Sequence, residues 1–89
     1  MLTDTECKRT KPTDKPKRLA DGGGLYLQIE PNGSRLWRLA YRFGGKQKTL
    51  ALGTYMLPGN PNPIVTLFMA RESAAAAKRL IAEGQDPGA

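Results

Sequence analysis

Six polar side chains stand at alternate positions in three apolar–polar stretches, and their chemical types are those that contact nucleic acids. They are Tyr26, Gln28, Arg38, Arg42, Gln47 and Thr49. In the major groove, arginine and glutamine bond to base edges and threonine packs its methyl on thymine, while a tyrosine hydroxyl bonds to phosphate. On a strand, Arg38 and Arg42 are about 13 Å apart, which lets them reach separate base edges or phosphates. Cross-strand pairs such as Tyr26 with Arg38, or Arg42 with Gln47, are the alternative explanation without a ligand.

The net charge of +6 is concentrated early in the chain. Residues 8–18 carry six basic side chains against Asp14 alone, whereas the charges after Gly53 balance to zero. Neutralisation of phosphates by such side chains supplies sequence-independent affinity for DNA, although a solvated basic surface is the plain alternative. Lysines at the tip of the second hairpin, on its core-facing side, are expected to snorkel outward to phosphate. The expected phosphate contacts are Lys15, Lys17, Arg18, Lys46 and Lys48.

Residue types that support catalysis or hold a metal are scarce. The chain has no histidine, and its one cysteine, Cys7, cannot form an internal disulfide. Ser34 and Ser73 have no visible activating base, and the carboxylates are scattered through turns and helix ends. We expect no enzymatic activity, no metal and no cofactor.

Neither a membrane span nor a signal peptide is visible. No stretch of 18 apolar residues occurs, and the amino terminus lacks a basic start followed by an apolar run. A single cysteine fits a reducing compartment. We predict a cytoplasmic protein without a membrane partner.

The first hairpin sets which polar residues share a sheet face. The turn residues Pro31-Asn32-Gly33 predict a three-residue loop closed by a glycine bulge. That loop places Leu27 opposite Trp37 and Tyr26 opposite Arg38. A loop shorter by one residue would mix apolar and charged partners on one face.

The second hairpin sorts the residues in the same way. The pair Gly44-Gly45 predicts a two-residue loop, which places Arg42 opposite Gln47 and Trp37 opposite Leu52. Both hairpins thus predict a two-faced sheet. Its apolar face consists of Leu25, Leu27, Trp37, Leu39, Tyr41, Leu50 and Leu52.

Two helices flank the hairpins. Thr3 and Glu6 form a capping box, and Pro12 keeps the helix that follows short. Thr66 is the expected N-cap of a second helix that runs to about Glu83. Its apolar stripe is narrow and rich in alanine: Leu67, Ala70, Ala74, Ala77 and Ile81.

These elements predict an α+β fold, in which the carboxy-terminal helix packs on one face of a three-stranded antiparallel sheet. The alternative is a four-stranded sheet, in which Arg18–Ala20 form a short additional strand at the edge. Residues 1–17 are expected to form a short helix and a basic extended arm, residues 18–84 the sheet-plus-helix domain, and residues 85–89 the start of a linker. Residues 56–64, rich in proline and asparagine, are expected to form a loop.

Several stretches resemble the opening of satellite-phage-type integrases. They are Leu19-Ala20-Asp21-Gly22-Gly23-Gly24-Leu25-Tyr26-Leu27, Pro31-Asn32-Gly33-Ser34, Leu36-Trp37-Arg38, Tyr41-Arg42-Phe43, Leu50-Ala51-Leu52-Gly53 and Gly84-Gln85-Asp86-Pro87. The resemblance covers nearly the whole chain and implies an amino-terminal, arm-type DNA-binding domain of a tyrosine recombinase, with the sheet facing the major groove. It implies that the catalytic residues belong to another domain. The implied partners are double-stranded DNA at the bacterial nucleoid, other integrase protomers and accessory DNA-bending proteins.

Two features depart from the family pattern. Residues 56–64 are longer than the usual connection to the helix, and Ala40 stands where an additional basic residue is common. The apolar pairs Met56-Leu57 and Phe68-Met69 support a different function, a protein-interaction module for recombinase self-assembly or accessory-factor docking. RNA binding on the sheet would need paired exposed aromatic residues, which the polar face lacks.

Overall fold

The computed structural model describes residues 1–60 and 62–88. Its elements in chain order are α1 (Asp4–Arg9), β1 (Lys17–Gly22), β2 (Leu25–Ile29), β3 (Arg35–Phe43), β4 (Lys46–Met56) and α2 (Leu67–Ala82). Pro61, within the predicted loop, and Ala89, at the end of the predicted linker, lie outside the described residues. Within the described ranges, no helix has the length and apolar character needed to cross a membrane.

The strands form one antiparallel sheet in the order β1-β2-β3-β4, so that each strand pairs with its neighbour in sequence. The α+β class is therefore confirmed, together with an antiparallel sheet and a carboxy-terminal helix. The option of a fourth strand is realised as β1, which extends beyond Arg18–Ala20 at both ends. Because β1 pairs with β2, Arg18 of β1 lies beside Gln28 of β2 on the surface of the sheet.

The turn between β2 and β3 has the predicted form. The amide of Gly33 donates to the carbonyl of Glu30 at 2.9 Å, and the amide of Glu30 donates to the backbone carbonyl of Ser34 at 2.8 Å. Gly33 has a φ of 95°, which glycine adopts without strain. This turn sets Leu27 opposite Trp37, as predicted.

The register of β3 with β4 is confirmed near the turn and wrong beyond it. Arg42 faces Gln47 and the pairing continues to Arg38 opposite Ala51, as predicted. Trp37 then faces Gly53 instead of Leu52, because the register shifts by one residue in β4. Such a bulge inserts one unpaired residue and bends the strand. β4 also extends to Met56, four residues past Leu52, the last residue of the predicted apolar face.

Gly53 is the residue that makes the bulge compatible with the segment before α2. Its φ is 123°, a conformation that L side chains rarely adopt. A Cβ at this position would lie 2.7 Å from Cγ2 of Val65. The indole of Trp37 donates to the carbonyl of the same Val65 at 2.8 Å. The segment leading into α2 is thus held directly against the bulged part of the sheet.

The core lies between the sheet and α2. Trp37, Leu27, Ile29 and Leu39 are fully buried, and the alanines of α2 cover them, which lets the helix approach closely. As predicted, Thr66 is the N-cap of α2, and its hydroxyl accepts from the amide of Met69.

The amino-terminal helix packs into the same core. Thr3 caps α1 by accepting from the amide of Glu6 at 3.2 Å, as the capping box predicts. Leu2 and Cys7 are buried against the core, and Arg35 donates to the carbonyl of Cys7 at 2.8 Å. The helix within residues 1–17 is thus in contact with the sheet domain.

Candidate nucleic-acid interface

The strand registers gather polar residues on the sheet face that points away from α2, called the outer face below. Cross-strand neighbours on this face are Arg18 with Gln28, Tyr26 with Arg38, and Arg42 with Gln47. All six predicted sheet contacts lie on it. The outer face is defined by Arg18, Tyr26, Gln28, Arg38, Arg42, Gln47 and Thr49.

Arg18 belongs to the outer face because β1 is a strand. Its Cζ atom lies 5.1 Å from the centre of the Tyr26 ring, so the cation over this ring comes from β1 and not from Arg38. An exposed contact of this kind contributes about 0.5–1 kcal/mol, enough to orient a guanidinium without neutralising it. Arg18 remains exposed. The sequence predicted only a phosphate contact for Arg18, and the alternation Arg18-Leu19-Ala20 was the signal for its place on this face.

The arginines of the outer face have no carboxylate partner among the described residues. The ion pairs in those residues join Lys48 to Asp86 and Arg71 to Asp21. The Nε atom of Arg38 is buried and has no hydrogen-bond partner in the described structure. A buried unsatisfied polar group costs about 1–3 kcal/mol, so the Arg38 guanidinium is held without the internal acceptor that would offset this cost.

Gln28 is less free than the sequence suggested. Its Nε2 atom donates to Oε1 of Glu30 at 2.5 Å. This bond uses one of the two amide hydrogens of Gln28, so its amide oxygen and its second N–H remain for a base edge. Glu30 adds one negative charge near this end of the outer face.

The predicted lysine contacts are spread over different surfaces. Lys15 is exposed in the extended segment before β1, and Lys46 is exposed at the tip of the β3–β4 hairpin. Lys17 pairs with Ile29, a core residue, so its side chain starts on the face opposite Arg18. The structure thus brings Arg18 to the outer face and leaves Lys17 on the core-facing side of β1.

Lys48 lies on the core-facing side, as predicted, and its amine is already bonded. It forms an ion pair and hydrogen bond with Asp86, and it lies 5.9 Å from the centre of the Phe43 ring. The hydrogen bond with Asp86 raises the pKa of Lys48, and the same contact, with a second from Tyr41, lowers the pKa of Asp86 to about 2. Sequence reasoning missed this pair, which joins residues 38 positions apart.

A second ionic cluster ties the amino terminus to α2. Asp21 accepts from Nε of Arg71 at 2.9 Å and from the amide of Leu2 at 2.8 Å. The hydrogen bond from Arg71 holds the pKa of Asp21 below its usual value. This cluster stabilises the fold on the side of the sheet away from the outer face.

Cys7 has the surroundings of a structural thiol. It is fully buried, and burial, with the nearby charges of Asp4 and Asp21, raises its pKa to about 11. A thiol with this pKa stays protonated at neutral pH and is a poor nucleophile.

A family model and several integrases match this chain. A family model described as the arm DNA-binding domain matches residues 2–89. The chain is 41% identical over 87 residues to the integrase of Shigella phage Sf6, covering 98% of this chain and 21% of the relative. It is 40% identical over 88 residues to the integrase of Enterobacteria phage P4, covering 97% of this chain and 18% of the relative. It is 41% identical to the prophage integrase IntS of Escherichia coli K12, covering 98% of this chain and 21% of the relative.

These matches define the class of the protein. The chain belongs to the arm DNA-binding domain family. It spans about a fifth of the length of the curated integrases that it matches. The family identified from sequence resemblance is thereby confirmed.

Proposed function

We propose that this domain binds duplex DNA at arm-type sites by placing its outer face in the major groove. One observation carries the proposal: Arg18, Arg38 and Arg42 share that face, and no carboxylate among the described residues pairs with them. Unneutralised guanidinium groups on a β surface are suited to guanine edges and phosphates.

The dimensions of the sheet suit the groove. Strands lie about 4.8 Å apart, so β2, β3 and β4 together span about 10 Å between their outer backbones. The major groove is about 12 Å wide and admits β ribbons. In this arrangement Arg38 reaches base edges from the central strand β3, and Gln47 reaches them from β4 at the edge of the ribbon. Arg18 and the Tyr26 hydroxyl lie towards β1, where they reach the phosphates that border the groove.

The extended segment before β1 supplies contacts that do not depend on sequence. Lys15 is exposed there, and Lys46 is exposed at the opposite hairpin tip. Each phosphate contact releases condensed counterions and makes binding weaker at higher salt. We assign phosphate contacts to these two lysines and exclude Lys48, whose amine is held by Asp86.

The biological setting is also a proposal. The relatives are integrases of phages and prophages, so we place this domain in a phage or prophage integrase that acts in site-specific recombination. DNA at the bacterial nucleoid is then its substrate in the cytoplasm, with other integrase protomers and accessory DNA-bending proteins bound nearby. We assign no step of strand exchange to these residues.

The experiment uses a duplex selected by the domain itself from a random-sequence library. Affinity for this duplex and for unselected DNA is measured by fluorescence anisotropy at several salt concentrations. We expect Arg42→Gln to weaken binding to the selected duplex by about 1–3 kcal/mol. The matched control is Arg79→Gln, on the exposed side of α2, which is expected to have no effect. Equal losses from both variants would contradict binding through the outer face.

A protein-interaction role is the second candidate, and exposed apolar residues favour it. Phe68 is 70% exposed and Met69 45% exposed at the start of α2, and Leu57 and Ile64 are also exposed. Such residues occur at protein interfaces. Sedimentation velocity distinguishes the candidates: self-association that Phe68→Ser abolishes, without salt-sensitive DNA binding, would favour this role over DNA binding.

A further inference from the structure

Three donors converge on the carboxylate of Asp86, in the chain that follows α2. The hydroxyl of Tyr41 donates at 2.6 Å, the amine of Lys48 forms an ion pair, and the amide of Gly88 donates at 2.9 Å. The Asp86 side chain is only 10% exposed. A short segment after a helix is thereby bonded to both strands of the β3–β4 hairpin.

The end of α2 directs the chain towards this hairpin. Gly84 has a φ of 81°. Its amide donates to the carbonyl of Ile81, and the amide of Gln85 donates to the carbonyl of Leu80. These two bonds form a Schellman motif, which ends the helix and reverses the chain. Gly88 then packs so closely that a Cβ there would lie 2.8 Å from the hydroxyl oxygen of Tyr41.

The hairpin held in this way carries part of the outer face. Arg42 and Gln47 pair with each other across it, one residue from Tyr41 and Lys48 respectively. The side chains of Tyr41 and Lys48 lie on the opposite, core-facing side. Asp86 therefore holds the hairpin on its core-facing side and also neutralises Lys48, which lies near the hairpin turn.

We propose that Asp86 is a specificity-determining positioning residue for DNA binding. It keeps Lys48 away from phosphate, so that this lysine does not add sequence-independent affinity, and it holds Arg42 and Gln47 in a fixed geometry. The proposal rests on the proposed function, because it concerns how the outer face distinguishes one duplex from another. Removal of the carboxylate should strengthen binding to all DNA while it loosens the hairpin that reads the sequence.

The first test compares Asp86→Asn with Glu72→Gln, an exposed residue of α2 that undergoes the same change of charge. For Asp86→Asn, affinity for unselected duplex rises on the order of fivefold in 0.15 M salt, and the salt slope rises by about 0.9, as expected for one new phosphate contact. The ratio of selected to unselected affinity falls correspondingly. Glu72→Gln leaves the slope and the ratio unchanged. Indistinguishable behaviour of the two variants overturns the proposal.

A second pair of variants tests the role of Lys48 without altering Asp86. Lys46→Met is expected to lower the salt slope by about 0.9, whereas Lys48→Met leaves it unchanged, because only the first amine is free to contact phosphate. In the Lys48→Met background, Asp86→Asn no longer raises affinity for unselected DNA. A rise that persists in this background overturns the proposal.

The contact of Asp86 with the hairpin is also measurable without DNA. In Asp86→Ala, which removes the acceptor, the heteronuclear NOE of the Gly88 amide is expected to fall, and an unchanged value would refute this contact. If the unaltered domain bound no duplex at all, the proposed function itself would fail, and the specificity role with it. Binding that is indifferent to Asp86→Asn would refute only the role of Asp86.

Discussion

The indole of Trp37 donates a 2.8 Å hydrogen bond to the carbonyl of Val65, and this bond joins the middle of the sheet to the segment that begins α2. Trp37 is fully buried and packs edge-on against Tyr55, with ring centres 5.7 Å apart. The sheet can receive Val65 at this point because β4 bulges there and Gly53 has no side chain. The absence of a side chain at Gly53 therefore leaves room for the segment that leads into α2.

We predict that Gly53→Ala destabilises the domain by about 1–3 kcal/mol, because the new Cβ strains the backbone and meets Val65. Urea denaturation followed by tryptophan fluorescence measures this change. The control is Gly44→Asn, at a turn position with a φ of 59°, where an added Cβ would have no atom within 4 Å. Asparagine tolerates that conformation, so the control should change stability by less than about 0.5 kcal/mol. A Gly53→Ala variant as stable as the control would contradict the importance of this contact.

Stability is predicted to fall in acid through the two hydrogen-bonded carboxylates. Contacts lower the pKa of Asp86 to about 2 and that of Asp21 below its usual value, so both bind protons more weakly in the folded state than in the unfolded state. Their contribution is complete above the unfolded pKa of about 4 and is lost as the pH falls through the folded values.

The measurement is the unfolding free energy between pH 6 and about pH 2, where the decline lies below about pH 4. Asp86→Asn should be less stable than the unaltered domain at neutral pH and should show a shallower decline. An identical pH dependence of the variant would show that the Asp86 contacts do not contribute to stability.

Arg38 and Lys15 are predicted to act in different ways. Arg38→Ala should reduce the discrimination between selected and unselected duplex by about 1–3 kcal/mol, because a bond to a base edge is lost. Lys15→Gln should weaken binding to every duplex alike and lower the salt slope by about one. Titrations of both variants against both duplexes separate the two effects. Equal loss of discrimination in both would contradict this division between base and phosphate contacts.

Local turn chemistry made much of the sheet predictable. The glycine and proline pattern at Pro31-Asn32-Gly33, and the pair Gly44-Gly45, each admit few loop geometries, so the registers next to them follow from sequence. The caps of both helices were predictable for the same reason, because Thr3 and Thr66 bond within three residues of their own positions.

Features that depend on distant contacts were not predictable. The alternation Leu50, Leu52 continues smoothly through the bulge and does not reveal the extra residue, which lies where Val65 packs against the sheet. The ion pair of Lys48 with Asp86 joins the hairpin to the chain after α2. Lys48, which the sequence predicts as a phosphate contact, therefore has its amine bonded to a carboxylate.

The outer face was predicted in composition but not in detail. Alternation placed Tyr26 and Arg38 side by side, which the register of β2 with β3 confirms. The position of Arg18 over Tyr26 depends on the pairing of β1, and the engagement of Gln28 depends on the rotamer of Glu30. Side-chain arrangements of this kind follow from tertiary packing and leave no period in the sequence.

The most direct test of DNA binding through the outer face is an NMR titration of the ¹⁵N-labelled domain with its selected duplex. We predict shifts of the Arg38 and Arg42 guanidinium Nε–H signals and of the Tyr26 amide, with the exposed side of α2, including Ala75 and Ala76, unchanged. Shifts confined to residues 8–17 or to α2, without any shift of outer-face signals, would contradict binding through this face.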